Sequence, residues 1–198
     1  MKKTFFLLLF ALLLNSGARA DGPVTATAVI AEGSLFPYIY IQSIEDKYFS
    51  LPYEVTSKAQ VSLIILTFAR PNDDDMASWV KPFSEKYGNN TRTAYYELAL
   101  VGDVGIINGL IFNGMRDGAT EEMRKHLLVY FHDKDPYKQM FNVLDPSLIY
   151  NCLVDQNGII KMIKTGKKAP EKDMNDILNM TESLLNPPEL KKIKKKKN

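Results

Sequence analysis

An α/β sandwich, a central mixed sheet flanked by helices, is the fold class this sequence predicts, and three observations predict it. Residues 61–68, Val-Ser-Leu-Ile-Ile-Leu-Thr-Phe, form a nearly unbroken apolar run of the kind that fills strands buried on both faces. Met76, Trp79, Val80 and Phe83 then recur at i, i+3, i+4 and i+7, one face of an amphipathic helix. Farther on, residues 149–155 and 159–165 flank Gln156-Asn157-Gly158, where the Asn-Gly pair is expected to supply the φ > 0 residues of a tight hairpin. Strands alternating with helices, closed by a hairpin and a last helix, pack as layers around a sheet.

The elements follow in chain order. Lys2 and Lys3, an apolar run over residues 5–14 and Ala18-Arg19-Ala20 make a charged, an apolar and a small-residue segment in the order of a secretory signal, with cleavage expected after Ala20. Ten apolar residues rise only about 15 Å as a helix, roughly half a bilayer core, so export is expected rather than a permanent span. Residues 21–34 read as a flexible lead. In 37–52, Tyr38-Ile39-Tyr40-Ile41 and Tyr48-Phe49-Ser50-Leu51 around Glu45-Asp46-Lys47 predict an N-terminal β-hairpin. After strand 61–68, Arg70-Pro71-Asn72 breaks the chain. Asp73, Asp74 and Asp75 stand where a helix start favours anions and cap acceptors. Pro82 is expected to kink or shorten that helix.

Residues 93–101 and 127–131 are further strands. Between them lie an apolar stretch, 104–112, the glycine-rich Asn113-Gly114-Met115-Arg116-Asp117-Gly118, read as a tight turn, and a short helix over 121–126. His132 to Pro136 turns into a helix over 137–144, and Met174, Ile177, Leu178, Thr181, Leu184 and Leu185 form the stripe of the closing helix. This order is that of the thioredoxin fold with an N-terminal β-hairpin and an inserted helical segment, spanning residues 35–186. A basic, disordered tail is expected over 187–198, after Pro187-Pro188.

Charge is segregated. The net value is +2, but removing residues 1–20 and the six tail lysines leaves 16 Lys and Arg against 23 Asp and Glu, a body near −7. The tail lysines Lys191, Lys192, Lys194, Lys195, Lys196 and Lys197 suit weak, salt-sensitive contact with an anionic membrane surface. An exported protein meets little nucleic acid, so no nucleic-acid partner is expected. With one cysteine in the sequence, no intramolecular disulfide forms, and the core must supply stability unaided.

Candidate chemistry is sparse. Cys152 lies inside an apolar strand, where a thiol is ordinarily a buried hydrophobe; a peroxidase would need an accessible low-pKa thiolate. Asp73, Asp74 and Asp75 invite a divalent-metal reading, but three consecutive side chains do not point one way, so capping and solvation are favoured. Arg116 offers a planar fork for a carboxylate or an acidic partner, unless it pairs with a body carboxylate such as Asp155 or Asp117. His126 and His132 are separated by a strand and need not converge on zinc. No Gly-x-Ser-x-Gly elbow supports a hydrolase. Trp79 is expected in the core by its helical spacing, with a ligand platform as the alternative. Asn89 and Asn179 open acceptor triplets that count only in a eukaryotic source.

Several stretches together resemble a known family: Leu35-Phe36-Pro37, Leu51-Pro52, the strand Leu63-Ile64-Ile65-Leu66-Thr67-Phe68, Ser78-Trp79, Pro82-Phe83, Tyr96-Glu97-Leu98, Gly114-Met115-Arg116-Asp117-Gly118 with Arg124, Leu153-Val154-Asp155-Gln156-Asn157-Gly158-Ile159-Ile160, and Gly166. Their order and spacing are similar to the exported bacterial thioredoxin-like proteins related to the mitochondrial ATP synthase assembly-factor family (ATPase assembly factor ten), over residues 35–185. The resemblance implies a thioredoxin-like fold. Mitochondrial members look like chaperones for a newly made membrane subunit; carrying that role to this chain would be fold-level analogy alone. Two departures matter. Redox thioredoxins place Cys-x-x-Cys at the start of the first helix, where this chain has Ala69-Arg70-Pro71-Asn72-Asp73-Asp74-Asp75-Met76, and their cis-proline position holds Ile149.

The sequence therefore predicts an exported, periplasmic or secreted, thioredoxin-like domain without redox cysteines. It is expected to be a non-catalytic module binding a protein or peptide in a chaperone- or assembly-like manner, with no catalytic residues, metal or cofactor. Arg116, Asp73, Asp74, Asp75 and Trp79 are its candidate binding residues. The alternative is an enzyme, thiol peroxidase-like through Cys152 or metal-dependent through the three aspartates.

Overall fold

The computed structural model describes residues 29–187; the expected signal segment with Ala20, most of the lead and the lysine tail lie outside the described residues. Alternation shapes the first hairpin. In β1 (Ile39–Ser43) Ile39 and Ile41 are buried while Tyr40 faces out, and β2 (Tyr48–Leu51) pairs antiparallel with it, Ile39 opposite Leu51 and Gln42 opposite Tyr48. One turn of helix, α1 (Tyr53–Thr56), leads to β3 (Val61–Thr67), every residue of which is buried, as its unbroken apolar run requires. There follow α2 (Asp73–Tyr87), β4 (Thr93–Leu100), a 3-10 turn Gly105–Ile107 running into α3 (Asn108–Gly118), α4 (Glu121–Arg124), β5 (Leu127–Tyr130), α5 (Asp135–Met140), β6 (Ile149–Asp155), β7 (Ile160–Gly166) and α6 (Glu171–Leu185).

The strands form one mixed sheet in the order β2-β1-β5-β4-β3-β6-β7. β3, β4 and β5 run parallel, while β6 and β7 are antiparallel beside β3. Helices cover both faces. On one, Trp79, Phe83 and Tyr87 of α2 meet Met174, Ile177 and Leu185 of α6 over Leu63, Ile65 and Leu153. On the other, Val55 and Phe141 pack with Ile64, Leu66, Leu98, Tyr150 and Cys152. A smaller cluster of Ile44, Ala119 and Val129 receives Phe112 and Met115 of α3. Each large side chain so buried contributes roughly 1.5–3 kcal/mol, which is how a chain without a disulfide holds this sheet.

Five expectations need correction. α2 runs through Pro82 unshortened, because Trp79, Phe83 and Tyr87 stay buried on both sides of it. Asn113 to Gly118 is helix, not a turn: Phe112 and Met115, three apart, seat α3 on its cluster and outweigh the glycines. α5 begins two residues early, with Pro136 in the first turn where its missing N–H costs nothing, and ends before Asn142 at φ 48°. In the β6–β7 turn only Gly158 has positive φ, at 78°. Asp155 shapes that turn instead, its Oδ1 accepting from Asn157 N at 2.8 Å and Ile159 N at 3.0 Å. A Cβ on Gly158 would also come within 3.0 Å of Leu35 and Pro52. Last, the described part of the lead is tied down. Ile30 N donates to Met140 O, Gly33 N donates to Ile160 O, and Glu32 Oε1 accepts from Ile163 N.

Candidate functional site

Parallel pairing delivers three loops to one edge of the sheet. β3 and β4 run in register from Val61 opposite Thr93 to Thr67 opposite Ala99, and β4 meets β5 with Leu100 opposite Tyr130. The segments 68–72, 101–104 and 131–134 therefore all leave at the strands' carboxyl ends, where α/β sheets gather their ligand sites. Lys134 laces them together, its Nζ donating to Phe68 O and Val101 O, both at 2.8 Å. Burial holds its pKa below the usual lysine range. Gly102 N adds a bond to Tyr130 O at 3.1 Å.

Several polar side chains at this edge are exposed, among them Arg70, Asn72, Asp73, Asp103 and Asp133. Asn72, not an aspartate, caps α2: its Oδ1 accepts from Asp74 N at 2.9 Å. Asp73 and Asp74 join Arg70, Pro71 and Asn72 around a shallow dish open to solvent. Asp75 is half-buried on the next position of the helix, so the three carboxylates fan around its first turn. Among the described residues no three metal-ligating side chains are grouped. Asp103 Oδ1 accepts from Gly105 N at 2.9 Å and Asn108 Nδ2 at 3.0 Å, and these bonds hold its carboxyl below the ordinary range. The edge presents donors and carboxylates suited to holding a polar segment, with no thiol or activated hydroxyl nucleophile among these groups.

The remaining candidates are dispersed. Arg116 lies on α3 and pairs with neither Asp155 nor Asp117; its Nη1 donates to Asp46 Oδ2 at 3.1 Å, its Nη2 to Asn113 Oδ1 at 2.6 Å, and the guanidinium covers the Phe112 ring. Asp155 is taken by Lys161 at 3.0 Å. Trp79 is 0% exposed and so cannot serve as an open ligand platform. His126 stacks on Tyr95 at 3.8 Å and bonds Tyr95 O through Nδ1, whereas His132 packs by Tyr130. Cys152 is fully buried between Ile64 of β3 and Ile163 of β7, and burial pushes its thiol well above the ordinary range. It lies in the sheet, not at the β3–α2 junction.

Two groups escape a reading of the sequence. Lys134 carries no motif, because its role depends on carbonyls from two distant loops. Glu97 is 7% exposed in β4 with no ion-pair partner among the described residues, and burial raises its pKa to about 7. Its one available signal was a lone charge inside the strand Tyr95-Tyr96-Glu97-Leu98.

No protein-family model and no curated protein matches the sequence. Solved structures do match. A candidate protein disulfide isomerase from Bacteroides thetaiotaomicron superposes with TM-score 0.55 at 16% identity, covering 81% of this chain and 94% of its own. Yeast Sco1 follows with TM-score 0.53 at 15% identity over 77% and 97%. A thiol peroxidase from Chromobacterium violaceum gives 0.51 at 10% over 78% and 88%. At such identities the likeness concerns the fold, and the fold is thioredoxin-like α/β. None of these structures singles out the assembly-factor family that the motifs resemble.

Proposed function

We propose that this chain is an exported thioredoxin-like domain that binds a protein or peptide segment and performs no thiol chemistry. One observation carries the reading. The β3–α2 junction, where the redox members of this fold hold their reactive thiols, is built from Arg70, Pro71, Asn72 and Asp73, while Cys152 is sealed in β6 between β3 and β7. A thiolate confined there would lose its solvation and reach no substrate. The edge formed by segments 68–72, 101–104 and 131–134 is pinned by Lys134 yet free of nucleophiles, which suits a preformed docking surface. Export rests on residues 1–20, and a chaperone- or assembly-like role rests on the family resemblance of the motifs. The lysine tail supplies a secondary, salt-sensitive contact with anionic membrane.

The test uses residues 21–198. Peroxide and disulfide substrates should show no turnover above the uncatalysed rate, and pull-down from envelope extract should recover a partner that then binds saturably as a purified protein. Turnover that disappears in Cys152→Ser would overturn the reading.

A further inference from the structure

At the same edge of the sheet the chain exposes a ridge that its own packing does not use. Ile106 is 99% exposed and Leu110 72%, with Val104 and Ile107 beside them at 41% and 44%. Residues 104–115 contain no charged side chain. α3 is already seated by Phe112 and Met115 on the Ile44, Ala119 and Val129 cluster, so the exposed aliphatics do not hold the helix in place. Single exposed apolar residues are ordinary, but four at one helix start form a contiguous patch. An added Cβ at Gly109 or Gly114 would meet nothing within 4 Å, so a partner's backbone can approach there.

The rim is acidic. Asp103 precedes the ridge, Asp133 and Asp135 follow β5, and Asp73 and Asp74 stand across the loop after β3, all exposed. Fewer cations stand around them: Lys138 is paired with Asp135 at 2.8 Å and Arg116 with Asp46, while Lys134 keeps its charge with its Nζ turned to two carbonyls. Arg70 opposes them. An anionic bilayer would be repelled by this rim, and a second copy docking ridge to ridge would bring like charges together. A segment with one apolar and one cationic face satisfies both the ridge and the rim.

We propose that Val104, Ile106, Ile107 and Leu110, rimmed by Asp73, Asp103 and Asp133, form the docking site for a cationic amphipathic segment of a protein partner. The proposal rests on the binding-module reading and names the chemistry of the partner. The last turn of α6 lies at the opposite end of the sheet, since Leu184 O accepts from Gln60, the residue before β3.

The test titrates residues 21–198 into a labelled leucine–lysine peptide of about 18 residues, five helical turns patterned as an amphipathic helix. Parallel titrations use a scrambled peptide, a leucine–glutamate counterpart and anionic phospholipid vesicles. The leucine–lysine peptide should bind saturably, weakening with salt, while scrambled and acidic peptides do not. Ile106→Ser with Leu110→Ser should weaken binding about tenfold or more. Asp73→Asn with Asp133→Asn should weaken it and flatten its salt dependence. All four positions are exposed, so unchanged thermal unfolding separates lost binding from lost folding. Equal binding of the acidic peptide, or binding untouched by the ridge substitutions, overturns the site. Vesicle binding that the ridge substitutions abolish assigns the ridge to membrane and also overturns it. So does self-association abolished by those substitutions, which assigns the ridge to a second copy. A purified partner that still binds the ridge variant sinks this site while the binding-module reading stands; thiol turnover sinks that reading while peptide binding remains measurable.

Discussion

Glu97 stands on the face of β4 shared with Tyr95, in register with Ile65 and Leu127, surroundings that offer its carboxyl no cation. Burial raises its pKa to about 7, and the Tyr95 phenol beside it is pushed up to about 12, chiefly by burial and then by the Glu97 and Glu122 carboxylates. The folded state therefore holds a proton on Glu97 that the unfolded chain releases near pH 4.5. Between about pH 4.5 and 7 the native state binds more protons than the unfolded one, so this group's effect on stability worsens as pH rises across that window and is constant above it. Glu97→Gln should match the wild type at low pH and be more stable at pH 8 by on the order of 3 kcal/mol. Denaturant titrations at several pH values measure this; an identical slope in both proteins would contradict it.

At the scale of elements, the start of α2 and the lacing of the loops make separate claims. Asn72→Ala leaves Asp74 N without its acceptor and should cost about 1 kcal/mol, lowering the melting temperature by roughly 2–4 °C. An unchanged melting curve would mean that Asp73 and its neighbours supply the cap instead. Lys134→Met removes both Nζ bonds and should cost about 1–3 kcal/mol, with faster amide exchange in segments 68–72 and 101–104 but not in β6. Protection that falls everywhere equally would count against a local lacing role. What the sequence made legible here was periodic. β3, β6, α2 and α6 follow from apolar runs and stripes that burial turns into structure. α3 was missed because local glycine chemistry suggested a turn while tertiary seating of Phe112 and Met115 made a helix. The pairing of Arg116 with Asp46 was equally hidden, since the two lie 70 residues apart and meet only through the fold. Lys134 and Glu97 belong to the same class: their roles are set by groups no local pattern contains.

The whole molecule keeps a thioredoxin-like sheet and its helical cover while its one cysteine is packed as a hydrophobe. No helix of the described residues is long and apolar enough to cross a membrane. Expectations about the ends of the chain rest on residues 1–20 and 188–198 alone, whereas the edge proposed for docking is gathered by the parallel register of β3, β4 and β5. If the lysine tail meets membrane as proposed, removing residues 188–198 should abolish low-salt binding to anionic vesicles and leave thermal unfolding unchanged. Vesicle binding that survives the truncation would assign the contact elsewhere. The central claim, a binding scaffold without thiol chemistry, is tested most directly by the rate at which Cys152 in the folded protein reacts with an aromatic disulfide reagent from pH 6 to pH 9. The account predicts no modification until denaturant unfolds the sheet, then one thiol per chain. Rapid stoichiometric reaction of the native protein, rising as a thiolate forms near neutral pH, would contradict it.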